Sequence, residues 1–132
     1  MQYQAKNIRT FIGAKNYDES REFYRALEFE EIVIDKKMCL FKVNEDLGFF
    51  LQDYYVKTWA NNSMIFLEVD DIDKCAEDLL SRGLHNKYKD VKFTKIKHFD
   101  WGRELFMHDP AGILWHFCEF NSKEKKPATN KT

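Results

Sequence analysis

A single histidine, His116, sits in the middle of a run, residues 113–120, that is mostly hydrophobic on both alternations. A polar group there is either a hydrogen-bonded core histidine or part of a site. Cys118 follows two positions later on the same face of a strand. His-x-Cys reads as a nucleophile beside its base, as two metal ligands, or as a buried thiol beside a satisfied imidazole. Glu68 is the nearest further donor on a neighbouring strand-like run. His98, Asp100 and His108 flank Trp101 in sequence, and Glu28, Glu30 and Glu31 form an acidic cluster. Both groups read as solvated strand-end residues, although some of the acidic cluster is placed to face a cationic ligand. The chain contains no phosphate-binding glycine loop, dinucleotide motif or G-x-S-x-G element.

The elements that must position these groups follow from periodicity. Residues 7–13 read as a strand. Asn16 or Asp18 can cap a helix to about Leu27, with Glu19 as a capping-box partner and Phe23, Tyr24 and Leu27 as its apolar face. Strands are expected at 29–34, 38–43 and 47–53, then a loop over 54–62. The order then repeats. A strand at 64–69 precedes a helix capped by Asp71, with Ile72, Ala76, Leu79 and Leu80 at i, i+4, i+7 and i+8 and Gly83 as a left-handed stop. Residues 84–91 read as loop, and strands follow at 92–99, 103–108 and 113–120. Asp109, Pro110, Ala111 and Gly112 suit the last turn, because proline presets φ at its second position and glycine suits its fourth. The chain is thus expected to be α+β, with two βαβββ modules, about 7–53 and 63–120, forming curved mixed sheets. An offset of about 53 residues pairs Asp18 with Asp71 and Leu27 with Leu80.

Strand alternation assigns faces. Ile65, Leu67, Val69, Ile113, Trp115 and Phe117 fall on one side, suited to packing under helices. The other side mixes Arg9, Glu68, His116 and Cys118 with Phe11, Met64 and Phe66. Apolar bulk with a few polar groups suits a ligand groove about as well as it suits the plainer reading, a subunit contact or second small core.

The composition, 44% hydrophobic and 16% aromatic over 132 residues, supports a single domain at 1–121 with a sizeable core. No apolar run reaches the ~18–20 residues of a membrane span, and no signal-peptide pattern opens the chain. Cys39, Cys75 and Cys118 show no CxxC spacing and are expected as reduced thiols in a cytoplasmic protein. Residues 122–132 hold four lysines and one glutamate and are expected to be a disordered tail. That leaves 17 basic and 21 acidic residues in the body, a net charge of -4. This argues against nucleic acid and favours a cationic ligand.

The repeated plan resembles the vicinal oxygen chelate superfamily of glyoxalases, extradiol dioxygenases, and fosfomycin and bleomycin resistance proteins. The segment YDESREFYRALEFE resembles its first helix and second strand, and VDDID and DPAGILWHF resemble its second-half markers. Within it, WGRE followed by DPAG and HF is most similar to the bleomycin resistance proteins, with Asn62 and Ser63 fitting the same branch. The resemblance implies a glyoxalase/bleomycin resistance-like fold and a homodimer without metal or other cofactor. Such a dimer sequesters a bleomycin-like or other small molecule in crevices between subunits. It places Trp101, Phe66, Met38, Phe50 and Phe41 as stacking surfaces, with Gly102 nearby and His116, Gln52 and Glu68 orienting the ligand.

The positions matching the superfamily's metal ligands are Phe11, Met64 and His116, which offer one imidazole. Three protein ligands are the usual minimum of a catalytic zinc site. The leading reading is therefore a metal-free binding protein for an aromatic or cationic compound. The alternative is a metal-dependent glyoxalase- or dioxygenase-like enzyme using Glu68, His116 and a third ligand from His98 or His108.

Overall fold

The computed structural model describes residues 3–121. The expected tail, 122–132, lies outside the described residues. Two mixed sheets, of four and five strands, are built by the two halves of the chain.

The first half contains β1 (Phe11–Gly13), α1 (Tyr17–Ala26), β2 (Glu30–Asp35), β3 (Met38–Lys42) and β4 (Gly48–Gln52), followed by a short α2 (Lys57–Asn62). The second contains β5 (Met64–Glu68), α3 (Ile72–Ser81), α4 (Leu84–Lys87), β6 (Lys92–Phe93), β7 (Lys97–Phe99), β8 (Gly102–His108) and β9 (Leu114–Phe120). The sheet orders are β1-β4-β3-β2 and β5-β9-β8-β6, with β7 also on β8. In both halves the first strand pairs parallel to the last and the rest are antiparallel. The duplication read from element order is thus a duplication of topology.

Local signals acted as expected at the helix ends. The Asn16 side chain accepts from Glu19 N at 3.1 Å, and Asp71 accepts from Lys74 N at 3.1 Å. Each satisfies one of the amide donors that a helix start leaves unpaired. Gly83, at φ 65°, follows α3 in the left-handed region and donates to Leu80 O.

Five local expectations are corrected. The first strand shrinks to Phe11–Gly13, paired with Phe50–Gln52 of β4, and Ile8 is 97% exposed. The loops expected at 54–62 and 84–91 each contain a short helix. The strand expected at 92–99 breaks in two. Thr94 bridges Phe106 with its own N–H and with its hydroxyl, which accepts from Phe106 N at 3.0 Å, so residues 95–96 leave the ladder. Leu80 is exposed rather than packed. It borders a cavity of about 420 Å³ with Phe93 and Ile96, where that break leaves α3 uncovered.

The core joins the two halves. Trp115 of β9 lies against Tyr24, Phe29 and Phe49 from the first half, with ring centroids 5.4–6.0 Å apart. Tyr24 and Trp115 are almost wholly buried, so their polar atoms need partners. Trp115 Nε1 donates to Tyr24 Oη at 2.9 Å, and Tyr24 donates to Asp109 Oδ2 at 2.5 Å. Asp109 Oδ1 accepts from the N–H groups of Ala111 and Ile113, and Gly112 N closes the turn on Asp109 O. Burial pushes the Asp109 carboxyl up to about 6, against these donors.

Candidate functional site

The open face of the second sheet carries a continuous run of rings. Phe106 meets His116 edge-on at 5.0 Å, and His116 lies 6.3 Å from Phe66. Phe66 lies 5.8 Å from Phe120, and Phe120 lies 5.7 Å from Trp101. Trp101 stacks on Phe99 at 5.0 Å with an interplanar angle of 1°. The strands dictate this adjacency: Phe66 is opposite His116, and His116 is opposite Phe106. Trp101 sits in the tight turn between β7 and β8, pinned by Asn121, whose N–H donates to Trp101 O at 2.9 Å. Gly102 next to it is buried. A Cβ there would lie 2.3 Å from Glu119 O, so the close approach of β8 to β9 requires glycine.

His116 is oriented from behind. Its Nδ1 lies 3.1 Å from Oε2 of Glu104, a carboxylate only 5% exposed. A carboxylate accepts but does not donate, so this contact assigns the ring proton to Nδ1. Nε2 lies 3.3 Å from Met64 Sδ and is turned to the open face. Cys118 shares the face but is wholly buried. Its thiol is pushed up to about 11, first by burial and then by the charges of Glu104, Glu68 and Glu119. It is no thiolate at neutral pH, and the nucleophile-base reading of His-x-Cys lacks its nucleophile.

The open face of the first sheet carries Phe11 stacked on Phe50, with centroids 4.7 Å apart and an angle of 19°. Met38 and Gln52 are cross-strand neighbours beside them. Arg9 lies over Phe50, its guanidinium carbon 5.9 Å from the ring centroid. Phe41, expected at the site, points the other way. It is wholly buried, paired with Phe49 and packed on Tyr24, because residues 38 and 41 are an odd number apart on one strand and take opposite faces. With no exposed surface it cannot stack on a ligand. Phe66 and Glu68 also border a cavity of about 570 Å³ between the sheets, where Asp46 and Asp70 add carboxylates to apolar walls from Leu47, Ile65 and Leu67.

The remaining candidates disperse. His98 is opposite Arg103, on the helix side of the sheet. His108 borders a separate cavity of about 250 Å³ with Lys15, Lys92 and Asp90. Glu31 is held at 2.6 Å by Arg21 and 2.8 Å by Arg25, and these bonds lower its carboxyl although burial alone would raise it. Glu28 pairs with Arg82. Glu28 and Glu31 therefore serve the fold.

A catalytic metal does not fit this donor set. Phe11 has no donor atom, Met64 offers a thioether, and one nitrogen of His116 is already committed to Glu104. Among the described residues no three His, Cys, Asp or Glu side chains are grouped to hold a metal ion.

Sequence reasoning missed Glu104, Phe106, Phe120 and Phe99. The signal was partly available: Glu104 and Phe106 alternate with the core residues Leu105 and Met107, and so must face the other side. The pairing of β8 with β9, which brings them to His116, is not a local property.

The family described as the Glyoxalase/Bleomycin resistance protein/Dioxygenase superfamily matches residues 8–117. No curated protein matches the chain by sequence. Among solved structures, the bleomycin-binding protein from bleomycin-producing Streptomyces verticillus, complexed with copper(II)-bleomycin, superposes with TM-score 0.74 at 19% identity, covering 91% of this chain and 100% of that one. TnmS3, an antibiotic binding protein from Streptomyces sp. CB03234, gives 0.71 at 16% identity, over 91% and 100%. The bleomycin resistance determinant encoded on the transposon Tn5 gives 0.71 at 17% identity, over 87% and 98%. At these identities the likeness is one of fold. No helix among the described residues is long and apolar enough to cross a membrane.

Proposed function

The chain belongs to the Glyoxalase/Bleomycin resistance protein/Dioxygenase superfamily, and from that premise we propose that it is a binding protein that sequesters a flat aromatic or cationic small molecule without metal and without breaking a bond. The observation that carries this reading is the partly exposed ring series from Phe106 through His116, Phe66 and Phe120 to Trp101 and Phe99. Such a surface costs free energy in water and offers stacking area to a planar guest. Trp101, Phe66, Phe50 and Met38 supply that area, while His116 Nε2, Gln52 and Glu68 orient polar groups. The carboxylates of Asp46, Glu68 and Asp70 at the inter-sheet cavity favour positive charge on part of the guest. Solved structures of similar fold are described as bleomycin-binding or antibiotic binding proteins.

The protein is proposed to act as a cytoplasmic homodimer. Phe11, Met64 and Phe66 are each at least half exposed on the open faces, and a second subunit placed over them turns a surface into a crevice. The enzyme reading would need a ligand set that the site residues do not supply.

The test is tryptophan fluorescence during titration with bleomycin and with a flat cationic dye such as acridine orange. Saturable quenching near one ligand per chain, weakened by Trp101→Ala, supports the reading. Absence of saturation with both, or stoichiometric zinc, nickel or iron retained through dialysis, overturns it.

A further inference from the structure

The chain has five arginines. Four of them hold carboxylates at 3.0 Å or less: Arg21 and Arg25 hold Glu31, Arg82 holds Asp78 and Glu28, and Arg103 holds Asp73. Arg9 holds none among the described residues. Its Nε is buried and has no hydrogen-bond partner, and its guanidinium lies over Phe50 on the open face of the first sheet. A shielded N–H without an acceptor costs roughly 1–3 kcal/mol, so an unpartnered Nε is an unusual thing for a fold to keep.

The surroundings show what would satisfy it. Phe50 and Phe11 form a stacked apolar floor beside Arg9, and Phe11 is half exposed. Guanidinium is planar, stays charged and presents paired donors that match a carboxylate. We propose that Arg9 is the anion-recognising residue of the open face, taking the carboxylate of a planar aromatic acid whose ring lies against Phe11. This rests on the reading of the open faces as a site for flat ligands, and specifies an acid group on the guest at the end carried by the first sheet. The acidic cavity of Asp46, Glu68 and Asp70 is bordered by Ile8 and Thr10, the residues before and after Arg9 in the chain. A guest spanning both would carry its charges at separate ends.

Three probes sharing one ring system test the proposal on the full chain: anthracene-9-carboxylate, 9-anthracenemethanol and 9-(aminomethyl)anthracene, each followed by its own fluorescence anisotropy. The expected result is a Kd about tenfold lower for the carboxylate than for the alcohol, with the amine weakest. Arg9→Gln should bring the carboxylate-to-alcohol ratio near one. Arg9→Lys should keep part of it, since charge remains while the paired donors are lost. An unchanged thermal midpoint in both variants identifies the effect as local. A ratio near one in the wild type, or a tenfold ratio that survives Arg9→Gln, overturns the role of Arg9 and leaves the aromatic site standing. Failure of all three probes to saturate while bleomycin or acridine orange still binds also overturns it. Failure of every ligand removes the binding reading as well.

Discussion

The phenol of Tyr24 and the carboxylate of Asp109 meet at 2.5 Å across 85 positions of sequence, and both are wholly buried. This bond ties α1 of the first half to the turn that starts β9 of the second, and Trp115 Nε1 depends on the same oxygen. Tyr24→Phe removes one hydroxyl and leaves two buried polar groups short of a partner. The expected cost is about 2–4 kcal/mol, read as a lower urea midpoint at unchanged m-value.

Asp109 also predicts a pH dependence. Its folded carboxyl titrates at about 6, above the ordinary 3.8, because burial disfavours the charge. The folded protein therefore holds its proton where the unfolded chain has lost it, so this group's stabilisation is complete below about 4 and is lost as pH rises through 6. The expected loss is on the order of 1–3 kcal/mol. Glu31, lowered by its arginines, works in the opposite direction at acid pH. The contribution of Asp109 is isolated by comparison with Asp109→Asn, whose urea midpoint should fall less between pH 4 and pH 6.5 than that of the wild type.

Gly102→Ala drives a methyl group into backbone. Glu119 O and Phe120 Cα would lie 2.3 and 2.9 Å from the new Cβ, and neither is the end of a flexible side chain. A destabilisation of about 1–3 kcal/mol is expected, together with displacement of the adjacent Trp101. Thermal unfolding measures the first, and the Trp101 emission spectrum reports the second.

Trp101→Ala tests the stacking surface directly. Its indole lies parallel to Phe99 and reaches Phe120, and 38% of the residue is exposed. Loss of one face of a ring sandwich should weaken a flat ligand by about 1–1.5 kcal/mol, roughly fivefold to tenfold. The protein's own stability should move less. Isothermal titration and thermal melts separate the two effects.

Thiol reactivity follows from burial. Cys39 and Cys118 are buried, Cys75 is partly so, and burial raises all three, to about 11 in the last two. Ellman's reagent at pH 7.5 should therefore modify less than one thiol per native chain in the first minutes and three after unfolding in guanidinium.

Much of this architecture is local in origin. Asn16 and Asp71 declare their helix starts because a short acceptor beside an apolar periodicity has one good use. Alternation places Met64, Phe66, Glu68 and His116 on one side, because a strand turns every second side chain the same way. The same rule excludes Phe41 once Met38 is chosen; reading the two together as crevice residues set it aside. Thr94 defeated the single strand expected at 92–99, because a hydroxyl standing in for a ladder group leaves no periodic trace.

The amino-acid order by itself determined the two modules, their helix caps, the Asp109 turn and the sides on which His116 and Phe66 lie, since each depends on neighbours a few residues away. Only the tertiary structure decided that Glu104 stands behind His116, that Phe120 links Phe66 to Trp101, and that Arg9 alone among the arginines meets no carboxylate within the described residues. Those facts depend on which strands pair and in what register. Strand pairing joins residues far apart in the chain, and the burial of a charge is set by everything around it.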